Sequence, residues 1–102
     1  IIGDMLELGE SSNELHLKLM PIIKKINPNM LITLGVYTAK IFKELSSSIN
    51  CYHYNSVEIL LKDIKKLIKP SQVILVKGSN GTGLWKVVPI LKRNTQEECN
   101  AA

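Results

Sequence analysis

The chain has little with which to build a metal site or a disulfide scaffold. Its 102 residues hold two cysteines and two histidines, with no C-x-x-C or H-x-x-x-H spacing. Cys51 sits in a candidate strand and Cys99 in a polar tail, while His16 and His53 lie far apart. The sequence therefore argues against zinc and against a secreted disulfide framework, and a reducing cytoplasm suits it. Aromatic residues are scarce, at 5%, and none is interleaved with the basic ones, so the net charge of +4 does not read as a nucleic-acid surface. Lys62, Lys65, Lys66 and Lys69 fall in one helical segment, mostly off its apolar face. They read as a solvated surface that still tolerates small anionic ligands. No apolar run approaches the ~20 residues of a membrane-spanning helix.

There is also no signal-peptide pattern and no initiating Met. The opening Ile1-Ile2-Gly3-Asp4 reads as the end of a strand, so the natural protein is expected to begin upstream. Hydrophobic residues at 45% and charged residues at 22% describe an ordinary globular domain, long enough for one core.

What is present is a pattern of short apolar runs alternating with amphipathic segments, which predicts strand–helix units around a parallel sheet. Strands are expected at Ile1–Asp4, Met30–Leu34, Cys51–Tyr54 and Gln72–Lys77. The first helix is expected to start at Ser11 in the capping box Ser11-Ser12-Asn13-Glu14 and to bury Leu15, Leu19, Ile22, Ile23 and Ile26. Pro21 should bend it near Leu17 to Pro21, because proline removes a backbone donor and crowds the preceding turn. A second helix is expected over Thr38–Leu45, with Ile41, Phe42 and Leu45 inward. A third should follow the capping sequence Asn55-Ser56-Val57-Glu58, with Leu60, Leu61, Ile64, Leu67 and Ile68 on its face. A fourth carries Leu84, Val87, Val88 and Leu91, interrupted at Pro89, and from Arg93 the core pattern stops.

The run Val73-Ile74-Leu75-Val76-Lys77 breaks into Gly78-Ser79-Asn80-Gly81-Thr82-Gly83, a strand that delivers a glycine-rich loop to a following helix. Such a loop can turn sharply and aim N–H groups at a phosphate or carboxylate. It is not a Walker A loop, since Leu84-Trp85 follows Gly83, and its G-x-x-G-x-G order fails the dinucleotide fingerprint. A purely structural turn remains the plainer alternative. In an open α/β sheet the strand C-termini share one edge, where ligands bind. Gly3-Asp4, Gly35 and Lys77-Gly78-Ser79 all fall on that edge. Asp4 could bind a ligand or simply cap local backbone N–H groups in its own turn; Lys77 must send its ammonium into the crevice or to a partner such as Asp4. His16, next to Leu15, reads as a half-exposed helix residue.

Gly3-Asp4-Met5-Leu6-Glu7-Leu8-Gly9-Glu10 with Glu14-Leu15-His16, and Val73 to Ser79 with Lys86-Val87-Val88, resemble the C-terminal domain of the Mur ligases. Leu31 to Gly35 and the turn at Pro70 fall between them in order, so the resemblance spans residues 1–92. It implies a Rossmann-like three-layer α/β domain with a mostly parallel sheet and helices on both faces, followed by a flexible tail over 93–102. It also implies one part of a three-domain, monomeric, cytoplasmic enzyme. There, ATP and Mg2+ convert the terminal carboxylate of a UDP-N-acetylmuramoyl-tripeptide to an acyl phosphate, and the amine of D-alanyl-D-alanine attacks it. The catalytic and metal-binding residues of the family belong to its central domain, so this chain alone is expected to be inactive. By position, Asp4, Glu7, His16, Lys77, Gly78, Ser79, Asn80 and Gly81 would line the crevice that closes on that domain. Asn80 stands where the family usually has arginine, which removes a bidentate grip on a carboxylate. Pro21 and Pro89 also depart from the family's usual helices.

A non-enzymatic α/β module for an anion or nucleotide would account for the loop and sheet, but leaves Gly3 to Glu10 without a role. A docking domain would need a large exposed apolar patch, of which the helix patterns give no sign.

Overall fold

A computed structural model describes residues 1–6 and 12–95. Glu7, the Ser11 capping position and the tail from residue 96, including Cys99, lie outside the described residues. The elements run β1 (Ile2–Gly3), α1 (Ser12–Leu17), α2 (Leu19–Ile26), β2 (Leu31–Leu34), α3 (Thr38–Leu45), β3 (Cys51–Tyr54), α4 (Val57–Leu67) and α5 (Val87–Thr95). β1, β2 and β3 form a parallel sheet in that order.

β2 is the centre of the sheet, and all four of its residues are buried. This is what a parallel strand covered on both faces requires. Ile32 and Leu34 pack with Leu60 and Ile64 of α4 and Val87 and Leu91 of α5. Leu31 packs on the other face with Ile23 of α2, Ile41 and Leu45 of α3, and Ile49. The result is the α/β, helix–sheet–helix layering compatible with a Rossmann-like arrangement. No helix among the described residues is long and apolar enough to cross a membrane.

The expected fourth strand over Gln72–Lys77 is not a strand but a single parallel bridge, Ile2↔Lys77. The Lys77 N–H donates to the Ile1 carbonyl at 2.9 Å, and the Gly3 N–H returns to the Lys77 carbonyl at 2.7 Å. With only two residues in β1, the ladder has little length to extend, and Val73 and Leu75 remain exposed. The bridge still sets the lateral order: residue 77, then β1, β2 and β3. The chain moves outward from β1 to β3 and then returns to the far side of β1, so the order reverses at β1, the kind of switch point where crevices open in α/β sheets.

Helix boundaries follow the punctuation in the sequence, but the first helix splits. α1 ends at Leu17 and α2 begins at Leu19, which puts Pro21 in the first turn of α2, where its missing N–H costs no intrahelical bond. Across the break the inward positions keep one phase: Ser12, His16 and Ile23 are buried and Leu19 half-buried, at spacings of four, three and four. That face is rotated from the expected one, so Leu15 (39% exposed), Ile22 (55%) and Ile26 (63%) point outward, while Ile23 of the expected face is buried. Pro89 likewise falls in the first turn of α5 and does not interrupt it; α5 continues to Thr95, past Arg93. At α4 the N-cap is Ser56, and its hydroxyl donates to Glu58 Oε1 at 2.9 Å in place of the expected capping box. That bond pulls the exposed Glu58 carboxyl below its ordinary range. Ile22, Ile26, Val73 and Leu75 together expose more apolar surface than the helix patterns announce.

Candidate functional site

Three consecutive amides leave β1 and each finds a partner on a different element. The Asp4 N–H continues the ladder to the Leu34 carbonyl of β2 at 3.0 Å. The Met5 N–H donates to His16 Nε2 of α1 at 2.9 Å. The Leu6 N–H donates to Ser79 Oγ, in the glycine-rich loop, at 2.8 Å. In return the Ser79 N–H donates to the Asp4 carbonyl at 3.1 Å. The loop after β1 and the loop after Lys77 are thus tied to each other on both sides of Ser79, and they meet at the switch point.

Glycine at 78 is what lets them meet. A Cβ there would lie 3.0 Å from the Gly3 Cα and 3.1 Å from Leu84 Cδ2, tighter than side chains normally pack. Gly78 is not among the residues with positive φ; in this loop that conformation belongs to Gly83, at φ +76°. The requirement at 78 is close approach of two backbones. Beyond it, Asn80–Thr82 and Leu84–Lys86 form short 3-10 turns that lead into α5.

The loop spends several of its N–H groups on itself. Thr82 N–H goes to the Ser79 carbonyl and Gly83 N–H to the Asn80 carbonyl, while Thr82 Oγ1 donates to the Ser79 carbonyl and accepts the Leu84 N–H. Gly78, Asn80 and Gly81, all exposed, carry the amides not engaged this way, and the exposed Lys77 precedes them. Lys77, Gly78, Ser79, Asn80 and Gly81 therefore form one accessible patch. An exposed lysine followed by exposed residues whose amides the loop does not spend on itself suits a carboxylate or phosphate.

Asp4 and His16 do something else. Asp4 is buried, and its two carboxylate oxygens accept the Tyr37 N–H (3.1 Å) and the Thr38 N–H (2.9 Å) at the start of α3. A carboxylate there satisfies two orphan donors and sits favourably on the helix dipole. Asp4 is expected from the sequence either to bind a ligand or to cap its own turn; its carboxylate caps instead a helix start 33 and 34 residues away, and the pairing with Lys77 is not formed. Gly35 makes room for it: at φ +119° it is strained for any other residue, and a Cβ would overlap the Asp4 carboxylate. His16, expected to be half-exposed, is 1% exposed. Its Nδ1 faces the Ser12 carbonyl, and its ring stacks on Tyr37 with centroids 5.1 Å apart. Glu7 lies outside the described residues.

Leu6, Tyr37, Thr38 and Thr82 also frame the site, and sequence reasoning did not single them out. Only Thr82, a hydroxyl inside the glycine-rich loop, carried a local signal. Among the described residues no group of three or more His, Cys, Asp or Glu could hold a metal ion. An apolar cleft of about 560 Å³, lined by residues such as Ile2, Ile26, Met30 and Val73, opens at the opposite, N-terminal edge of the strands, away from this patch.

Comparison with known proteins gives the patch a context. Over 88 residues the chain is 40% identical to a UDP-N-acetylmuramoyl-tripeptide--D-alanyl-D-alanine ligase of Rickettsia prowazekii (strain Madrid E), covering 86% of this chain and 20% of that protein. The chain is homologous to a segment of such ligases. A protein of the same name from Buchnera aphidicola subsp. Acyrthosiphon pisum (strain APS) is 29% identical over 99 residues, 97% of this chain and 22% of that protein. The chain spans about a fifth of the length of the curated relatives it matches. No family model matches it, and no solved structure does.

Proposed function

We propose that the chain is the C-terminal, dipeptide-receiving domain of a ligase that joins D-alanyl-D-alanine to UDP-N-acetylmuramoyl-tripeptide. The whole enzyme would act in the bacterial cytoplasm as a monomer, use ATP and Mg2+ bound mainly by its central domain, and supply a precursor for the cell wall. The observation that carries this reading is the accessible Lys77–Gly81 patch at a sheet switch point, in a chain 40% identical to a ligase of that name. Lys77 and the exposed loop amides would neutralise the carboxylate of the incoming dipeptide. The patch would close over the central domain, so that the dipeptide amine meets the activated tripeptide and water is kept away. Asp4 and His16 would shape the crevice from beneath.

The test is ligation by the longer protein that carries this segment. ATP-dependent, dipeptide-dependent formation of the amide product supports the reading. A longer protein that turns over ATP with another acceptor and ignores D-alanyl-D-alanine contradicts it.

A further inference from the structure

β1 ends after Gly3, yet its strand direction continues into Asp4, Met5 and Leu6, and each of those amides needs an acceptor as it leaves the sheet. Asp4 still reaches β2 and Leu6 reaches Ser79. Between them, the Met5 N–H has only a side chain to take it, and that side chain is His16.

The partners fix the state of the ring. A carbonyl oxygen only accepts, so the nitrogen facing the Ser12 carbonyl, Nδ1, carries the proton; an amide N–H only donates, so Nε2 presents its lone pair to Met5. His16 is a neutral Nδ1–H tautomer, buried and stacked on Tyr37. Tyr37 in turn gives its N–H to Asp4. One ring thus bears on α1, on the loop after β1 and on the start of α3.

The geometry points to His16 as a positioning residue: its Nε2 lone pair orients the Met5 amide so that the next amide, Leu6, is aimed at Ser79 and the two loops hold one relative position. It touches no ligand in this role and acts through Met5, Leu6 and Ser79. The effect on ligation rests on the reading of the Lys77–Gly81 patch as the dipeptide site; the hydrogen-bond chain does not.

The experiment has two arms. In the first, the 15N-labelled wild-type chain is examined for a through-hydrogen-bond coupling between the Met5 amide nitrogen and His16 Nε2, with the proton on Nδ1. Finding both supports the proposal, and an Nε2–H tautomer or the lack of coupling overturns it whatever the variants do. The second compares His16→Gln, whose side-chain oxygen can reach the Nε2 position, with His16→Asn, which cannot. In His16→Asn the amide signals of Leu6 and Ser79 should move. In the longer ligase its KM for D-alanyl-D-alanine should rise about tenfold, the effect of about 1.4 kcal/mol, with the KM for ATP changed less than about twofold and His16→Gln recovering most of the loss. Changes confined to residues 12–17, or equal losses for all substrates with no recovery by Gln, overturn it. If the wild-type longer protein does not ligate the dipeptide, the functional reading fails, and the coupling and the Ser79 shift still decide the role of His16.

Discussion

The Asp4 carboxylate caps α3 from the loop after β1: its Oδ1 accepts the Thr38 N–H at 2.9 Å, across 34 residues of sequence. The residue that precedes α3, Tyr37, provides no side-chain cap of its own, so the helix start depends on that loop. Asp4→Ala should leave two N–H groups without their acceptor and lower stability on the order of 3 kcal/mol, since bonds to charged groups contribute about 1.5 to 3 kcal/mol each. Urea denaturation of the chain reads this directly. Asp4→Asn, which keeps one acceptor but turns an amide NH2 toward the other donor, should fall between the two.

Gly35→Ala should damage the same cap from the opposite side, through its φ of +119° and the overlap of the new Cβ with the Asp4 carboxylate. Because both substitutions act on one device, the double variant should lose clearly less than the sum of the single losses. Additive losses in a double-mutant cycle would mean that Gly35 matters for some other reason.

At the junction of the two loops, Gly78→Ala should push the Gly3 backbone and Leu84 apart and cost about 1 to 3 kcal/mol, as overpacking does. The amide signals of Gly3 and Lys77, which share the bridge, should shift with it. A variant of unchanged stability with unmoved signals would show that the loops are not held this close.

Tyr54 supplies a pH test. Its hydroxyl donates to Asp63 Oδ2 at 2.8 Å, and burial, followed by that carboxylate, pushes its pKa up to about 12 from an ordinary 10. The folded state therefore holds this proton more tightly than the unfolded chain. Its contribution to stability is complete below pH 10 and is lost as pH rises from 10 through about 12. Tyr54→Phe should flatten the fall in stability across that window relative to wild type, as measured by denaturation at a series of alkaline pH values.

The sequence made α3, α4 and β3 legible because each has clean punctuation: a serine or proline where the helix stops, an Asn-Ser pair where α4 starts, and apolar residues in one phase between them. The meeting of Gly3-Asp4, Gly35 and Lys77-Gly78-Ser79 on one edge was legible too, since parallel topology alone brings strand C-termini together. The phase of α1 and α2 was not. Two faces compete at helical spacing, and the more apolar one, with Leu15, Ile22 and Ile26, faces outward; the fold buries Ser12 and His16 because the His16 ring is held by the Met5 amide and the Ser12 carbonyl, contacts that no periodicity records. The role of Asp4 left no local trace either, because its partners lie more than thirty residues away and are backbone atoms, which no side-chain pattern records. The open edge at Val73 and Leu75 escaped for a related reason: an apolar run announces a strand, while pairing depends on how much β1 there is to pair with.

Lys77, the exposed residue just before the glycine-rich loop, supplies the charge on which a dipeptide site in this patch depends. The decisive measurement is the set of Michaelis constants of the longer ligase with Lys77→Met, which keeps the apolar stem and removes the charge. Loss of a charge-assisted bond of about 1.5 to 3 kcal/mol to the dipeptide carboxylate should lower kcat/KM for D-alanyl-D-alanine roughly 10- to 150-fold, with the constants for ATP and the UDP-linked tripeptide moving much less. An unchanged dipeptide constant in a stably folded Lys77→Met enzyme would contradict the assignment of this patch as the dipeptide site.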